Sequence, residues 1–95
     1  MTSATATTLI QTLESNVERI QARGQQKVEK GRITQEKADQ VVEEFRAEVE
    51  VAIAAIREVD ENRGEEVVGC IKLSQAQTND MAGIIALAER LMGRA

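Results

Sequence analysis

Four basic residues recur along the first helical segment at the spacing of one helix face. Arg19, Arg23, Lys27 and Lys30 follow one another at intervals of three or four, so a helix would place them within about a quarter of its circumference. Such a row can bind phosphate groups of a nucleotide-like ligand. It can equally be a solvated flank that pairs with acids of a neighbouring helix, and both interpretations stay open at this stage.

The residue types that perform most acid–base and metal chemistry are missing from the chain. Its 95 residues include no His, Tyr or Trp, and Phe45 is the single aromatic residue. Without His, the commonest general base and metal ligand are absent. Cys70 is the one cysteine, which rules out an intrachain disulfide, and its apolar surroundings predict a small core residue. We therefore expect no catalytic residue, no metal site, no cofactor and no enzyme activity.

Charge and hydropathy bear on location and partners. The net charge is -4, which makes nucleic acid an unlikely partner. No apolar run approaches the roughly 20 residues that span a bilayer, and residues 1–8 lack the basic and apolar regions of a signal peptide. The sequence thus predicts a cytoplasmic location without membrane contact.

Apolar residues recur at helical spacing over most of the chain, which predicts an all-α, bundle-like fold of three to four helices in one domain over residues 1–95. After a flexible segment at 1–7, the first helix should cover about 8–30 and the second about 35–63. Gly31 and Gly64 supply their C-terminal stops, and Thr34 is the expected N-cap of the second helix. The short connection between them predicts an antiparallel hairpin.

The remainder of the chain is less regular. Residues 65–73 are rich in β-branched side chains, as a strand would be, but nothing else in the sequence offers a strand to pair with. A short or bent helix is therefore favoured there. A last helix is expected at about 75–92, with Ser74, Thr78, Asn79 and Asp80 as rival N-caps and Gly93 as its stop.

The hairpin text resembles a known family. Residues 28–36 read VEKGRITQE, followed by Ala38-Asp39. This passage resembles the helical hairpin in the NAD-binding domain of 3-hydroxyacyl-CoA dehydrogenases. The likeness covers about residues 17–45 and is patchy over 65–92. It implies that Lys30 would face coenzyme A, whereas Arg23 stands where the family has a coenzyme-contacting serine.

The departures from that family are as informative as the matches. Glu66-Val67-Val68-Gly69 resembles the family's ERVIG, but Cys70-Ile71 follows where a His-bearing segment is expected. The dinucleotide fingerprint, the catalytic His, its Glu partner and the NTSS segment are also absent. The resemblance therefore implies no hydride transfer, and at most a retained coenzyme A contact.

Taken together, these features predict a non-catalytic helical interaction or oligomerisation protein that acts through apolar helix faces. We expect a homodimer or a complex with a helical partner. Two alternatives remain. One is a module that binds coenzyme A or another nucleotide phosphate through Arg19, Arg23, Lys27 and Lys30, and the other is a small regulator of nucleic acid or of a regulatory protein.

Overall fold

The computed structural model describes residues 1–94, and within them it contains five helices and no strand. The predicted all-α fold is confirmed. The helices, in chain order, are α1 (Ala4–Glu29), α2 (Gln35–Arg63), α3 (Glu65–Val68), α4 (Leu73–Gln77) and α5 (Met81–Leu91). None of the helices in this part of the chain is both long enough and apolar enough to cross a membrane.

α1 and α2 form the predicted hairpin. Gly31 adopts a φ of 70° after α1, a left-handed conformation that favours glycine. The Thr34 side chain then accepts a hydrogen bond from the Lys37 backbone N–H at 3.1 Å and so caps α2. Gly64, with a φ of 89°, lies at the end of α2 as expected.

The N-terminal prediction needs correction. α1 begins at Ala4, not near Thr8, so the prediction of a flexible segment is wrong for residues 4–7. The Ser3 hydroxyl accepts a hydrogen bond from the Ala6 N–H at 3.2 Å and donates one to an Asp60 carboxylate oxygen at 2.6 Å. Ala6 is fully buried. Small polar residues are typical of loose termini, but here one of them caps the helix while Ala6 packs into the core.

Residues 65–73 form neither a strand nor one helix. α3 is a single turn, and hydrogen-bonded turns follow it, with the Cys70 N–H donating to the Val67 carbonyl at 3.0 Å. Val68 and Ile71 are buried. Cys70 lies between these two inward positions and is exposed, so the prediction of a core cysteine is wrong.

The expected last helix is broken into two. Asn79 has a φ of 57°, a left-handed conformation that ends a helix and that Asn tolerates better than most residues. Asp80 is the N-cap that the structure uses for α5, since its carboxylate accepts from the Gly83 N–H at 3.1 Å. The prediction of one helix over 75–92 is therefore wrong, because a left-handed residue and a new cap interrupt it.

The hydrophobic core occupies only one end of the hairpin. Every member of the main buried cluster comes from residues 6–17, 49–59 or 68–88. We call residues 4–17 together with 49–94 the core block, and residues 18–48 the arm. At 1.5 Å per residue, α1 and α2 are about 40 Å long and α5 is about 16 Å. The arm therefore extends well beyond α3, α4 and α5 in a molecule that measures 47 × 25 × 21 Å.

Candidate interaction surface on the arm

The arm carries an open groove on the side where α4 and α5 pack. We call this side the front face and the cavity the front groove. Its volume is about 320 Å³. Its lining residues are Ile20, Arg23, Gly24 and Lys27 of α1 with Ile33, Lys37, Ala38 and Val41 of α2. α4 and α5 end at the base of this face, so none of the described helices covers it.

The floor of the front groove is apolar and shallow because the two helices approach closely. A Cβ placed on Gly24 would lie 3.5 Å from the Ala38 Cβ, which shows how near the backbones come. Ala38 is the one arm side chain that is fully buried, at 4% exposed. Val41 is 41% exposed although it lies on the apolar stripe of α2. In the core block the same stripe of α2 is covered by α5. On the arm no described helix covers it, and its apolar surface stays open to solvent.

The rim of the front groove is positively charged. Arg23 and Lys27 lie along the α1 side and Lys37 along the α2 side, and no acidic residue lines the groove. The ion pair between Arg94 and Glu58 is the only one within residues 1–94. The interpretation in which the basic row pairs with acids of the neighbouring helix is therefore not what the described structure shows.

The structure divides the four predicted phosphate-strip residues among three places. Arg23 and Lys27 line the front groove. Arg19 lies below it, where its guanidinium donates a hydrogen bond to Asn16 Oδ1 at 2.6 Å. A second, smaller cavity adjoins Arg19 and Arg23. Lys30 is the C-cap residue of α1 and lines neither of these two cavities. Only three of the four thus border a cavity on the front face.

Lys37 is a groove residue that the sequence reasoning missed. Its signal was available, because Lys37 precedes Val41 by four positions and so shares its face of α2. The predicted phosphate strip contains residues of α1 only, whereas the antiparallel hairpin brings the first turn of α2 beside the last turns of α1.

Asn16 joins the base of the front groove to the core block. It is only 3% exposed, and its amide nitrogen donates to the Ala76 carbonyl at 2.8 Å and to Asn79 Oδ1 at 2.7 Å. These bonds hold the turn between α4 and α5 against α1. A small polar cavity of about 160 Å³ lies here, lined in part by Arg19, Arg23 and Asn79. Arg23 lines both this cavity and the front groove, so the positive rim of the groove continues through Arg19 toward the core block.

A larger groove of about 580 Å³ lies on the opposite face of the hairpin, which we call the back face. Among its apolar lining residues, Val17 and Ile53 are 9% exposed and Val49 is 2% exposed, whereas Ala54 is exposed. Acidic and basic side chains alternate around it. The surface of this groove is more mixed in polarity and charge than that of the front groove, which is mostly apolar with only basic residues on its rim. The front groove is therefore the stronger candidate.

Within residues 1–94, no three Cys, Asp or Glu side chains converge in a way that could hold a metal ion.

Comparison of the chain with protein-family models, with curated proteins and with solved structures finds no match in any of the three. The resemblance to 3-hydroxyacyl-CoA dehydrogenases therefore stays a prediction.

Proposed function

We propose that this chain is a non-catalytic, cytoplasmic interaction protein that binds another helical protein surface through the front face of its arm. The observation that carries the proposal is the uncovered apolar stripe of the arm, where Val41 is 41% exposed next to Ile20 and Ile33. Full burial of one such side chain is worth about 1.5–3 kcal/mol. These side chains are already partly covered, so a partner would gain from each only the share of that free energy that corresponds to its exposed fraction.

The uneven distribution of buried residues between the core block and the arm supports this proposal. The core block contains the buried cluster and therefore most of the folding free energy, whereas the arm adds Ala38 as its one buried apolar residue. An arm that contributes so little burial of its own is well suited to presenting a surface. Self-association and binding of a different protein both use such a surface, and both belong to this proposal.

Site-specific photo-crosslinking tests it. A photoreactive amino acid replaces Val41 in one variant and Ala47 in a matched control, since Ala47 is an exposed residue on the outward side of α2. We expect adducts of defined mass from position 41 and none from position 47. Adducts of twice the chain mass in purified protein would identify the partner as a second copy. Adducts that form only in lysate would identify it as a different protein.

Circular dichroism must first show that both photoreactive variants keep the helical content of the wild type. Equal adduct formation from positions 41 and 47, or none from either, would contradict an interaction surface on the front face.

A second candidate is binding of coenzyme A or a similar nucleotide. Its support is the combination of an apolar floor with three cations, Arg23, Lys27 and Lys37, at one cavity, together with the hairpin resemblance. Thermal unfolding with added coenzyme A tests it, because a ligand that binds the folded state raises the melting temperature. Loss of the shift in Arg23→Ala but not in Lys30→Ala would assign binding to the groove and not to the position that the resemblance implies. No shift at millimolar coenzyme A would refute the candidate.

A further inference from the structure

We propose that the occupant of the front groove is an acidic amphipathic helix of a different protein, and not a second copy of this chain. The inference rests on the proposed function and names the chemistry of the partner. Three features of the front face support it, which are its charge, the arrangement of charge on each helix, and the layer of helices that it continues.

The charge of the groove selects for carboxylates. Arg23, Lys27 and Lys37 flank the floor on both sides, and the lining includes no acid. All three side chains are exposed, so their charged groups can reach a partner while their aliphatic stems cover part of its apolar side. A helix with an apolar stripe and carboxylates on both flanks is complementary to this surface, and a basic helix would be repelled.

A second copy does not supply that complement. If two front faces met with the arms antiparallel, α1 would face α1 and would bring Arg19, Arg23 and Lys27 of each copy against the same residues of the other. If the arms ran parallel, α1 would face α2, and Arg23 and Lys27 would meet Lys37.

Acids on the front side of α2 do not remove this conflict. Glu44 and Glu48 follow Lys37 and Val41 at helical spacing. They could pair with Lys37 of an antiparallel copy, but α1 has no acid at the corresponding front positions between Arg19 and Lys27. In the parallel arrangement Glu44 would lie near Arg19 of the other copy, because Gly24 and Ala38 set the register of the hairpin. Arg23 and Lys27 would still meet Lys37, so repulsion that involves α1 remains in either arrangement.

The fold itself indicates that the occupant is helical. On the core block, the front face of the hairpin is covered by α4 against α1 and by α5 against α2. Met81, Ile84 and Ala88 of α5 are buried there, at the three- and four-residue spacing of one helix side. A partner helix on the arm would extend this layer toward the hairpin tip, with its anchors against Ile20, Gly24 and Val41. About 14 residues, roughly 21 Å of helix, would span the groove.

Designed peptides test the inference directly on the full chain. One fluorescein-labelled peptide of about 14 residues has a Leu stripe at positions i, i+3, i+4 and i+7 with Glu on both flanks. A second peptide has the same stripe with Lys in place of every Glu. In fluorescence anisotropy titrations we expect saturable binding of the Glu peptide, at least tenfold tighter than the Lys peptide, and weakening as salt rises.

Two charge-reversal variants locate the binding. Lys37→Glu changes the rim of the front groove, and Arg46→Glu makes the same charge change on the back face of the arm. We expect Lys37→Glu to weaken Glu-peptide binding about tenfold or more and to improve binding of the Lys peptide, while Arg46→Glu leaves both nearly unchanged. The Lys37 N–H that Thr34 caps is a backbone group, so the variant should keep the start of α2.

The following outcomes would overturn the inference. They are equal binding of both peptides, equal effects of the two variants, no saturable binding of the Glu peptide, or its displacement by equimolar coenzyme A. Sedimentation equilibrium of the protein alone provides a further such outcome. If the wild type is a dimer and Lys37→Glu dissociates it, the occupant of the front groove is a second copy of the chain. Crosslinking from Val41 could still succeed in that case, so the proposed function and the acidic partner fail separately.

Discussion

At the scale of single residues, Ser3, the N-cap of α1, forms a partly buried polar contact with Asp60 near the end of α2. Asp60 is 9% exposed and accepts hydrogen bonds from the Ser3 hydroxyl at 2.6 Å and the Ser3 backbone N–H at 2.9 Å. Both bonds stabilise the carboxylate and lower the pKa of Asp60 below its ordinary value of 3.8. The start of α1 is thereby fastened to the end of α2.

The contact makes stability depend on pH in a defined direction. Since the pKa of Asp60 is lower in the folded state, the unfolded chain takes up the proton first as pH falls through 3.8, and the stabilisation is lost below that pH. We expect Asp60→Asn to reduce the free energy of unfolding by about 1–2 kcal/mol at neutral pH. The difference from wild type should shrink well below pH 3.8.

Urea unfolding of both proteins at neutral and acidic pH measures this difference. Glu61→Gln is the matched control, because Glu61 is exposed and adjacent in sequence. A deficit of Asp60→Asn that stays the same at both pH values would show that the ionised carboxylate contributes nothing.

Residue environments were predicted less well than residue spacing. Thr34 is the cap of α2 as expected, because a cap depends on neighbours three positions away. Cys70 was misplaced, because its exposure depends on a turn that places Val68 and Ile71 inward instead. The buried amide of Asn16 was likewise missed, since its partners Ala76 and Asn79 are about sixty positions away.

At the scale of elements, the close approach of α1 and α2 at Gly24 has a measurable energetic consequence. A Cβ at Gly24 would make an ordinary contact of 3.5 Å with the Ala38 Cβ, and Ala is the better helix former. We expect Gly24→Ala to raise the free energy of unfolding by about 0.5–1 kcal/mol. Gly31→Ala should lower it by about 1 kcal/mol, because Gly31 has a φ of 70°.

Chemical denaturation measures the free energy of unfolding of both variants. Gly24→Ala reports on the packing of the two helices, and Gly31→Ala on the backbone conformation of the turn. Destabilisation by Gly24→Ala would mean that the helices lie closer than the 3.5 Å contact indicates. No loss of stability in Gly31→Ala would mean that the hairpin turn can change its conformation at little cost.

The helices themselves were largely predictable, and their breaks were not. Gly31 and Gly64 end α1 and α2 as the sequence indicates, because both stops are local. The break at Asn79 depends on one residue in a left-handed conformation within a stretch that reads as helical throughout. Four candidate caps between Ser74 and Asp80 left the position of that break undetermined.

At the scale of the whole molecule, the separation of arm and core block predicts uneven local stability. Residues 37–45 of α2 lie on the arm, with only Ala38 fully buried, whereas residues 52–59 include several core side chains. Regions with few buried apolar contacts open locally at lower free energy. We expect amides at 37–45 to exchange with solvent deuterium well before those at 52–59.

Native-state hydrogen exchange followed by mass spectrometry checks this order. Uniform protection along α2 would show that arm and core block open as one unit. Addition of the Glu peptide should slow exchange at 37–45 selectively, which ties the local stability of the arm to occupation of the front groove.

The position of the uncovered surface could not be read from the sequence. The apolar stripe of α2 runs evenly from Ala38 to Val59, so its pattern does not distinguish the half that α5 covers from the half that stays open. That distinction is made by the turns that follow Val68 and by the break at Asn79, after which α4 packs against α1 and α5 against α2 at one end of the hairpin.

The contact between Ser3 and Asp60 also has a consequence for folding kinetics. These residues are 57 positions apart, and closing so long a loop costs entropy. Contacts near the hairpin tip are local in sequence, and such contacts form fastest. We therefore expect pairing of α1 and α2 to precede closure of the Ser3–Asp60 contact, which then joins the two ends of a hairpin that has already formed.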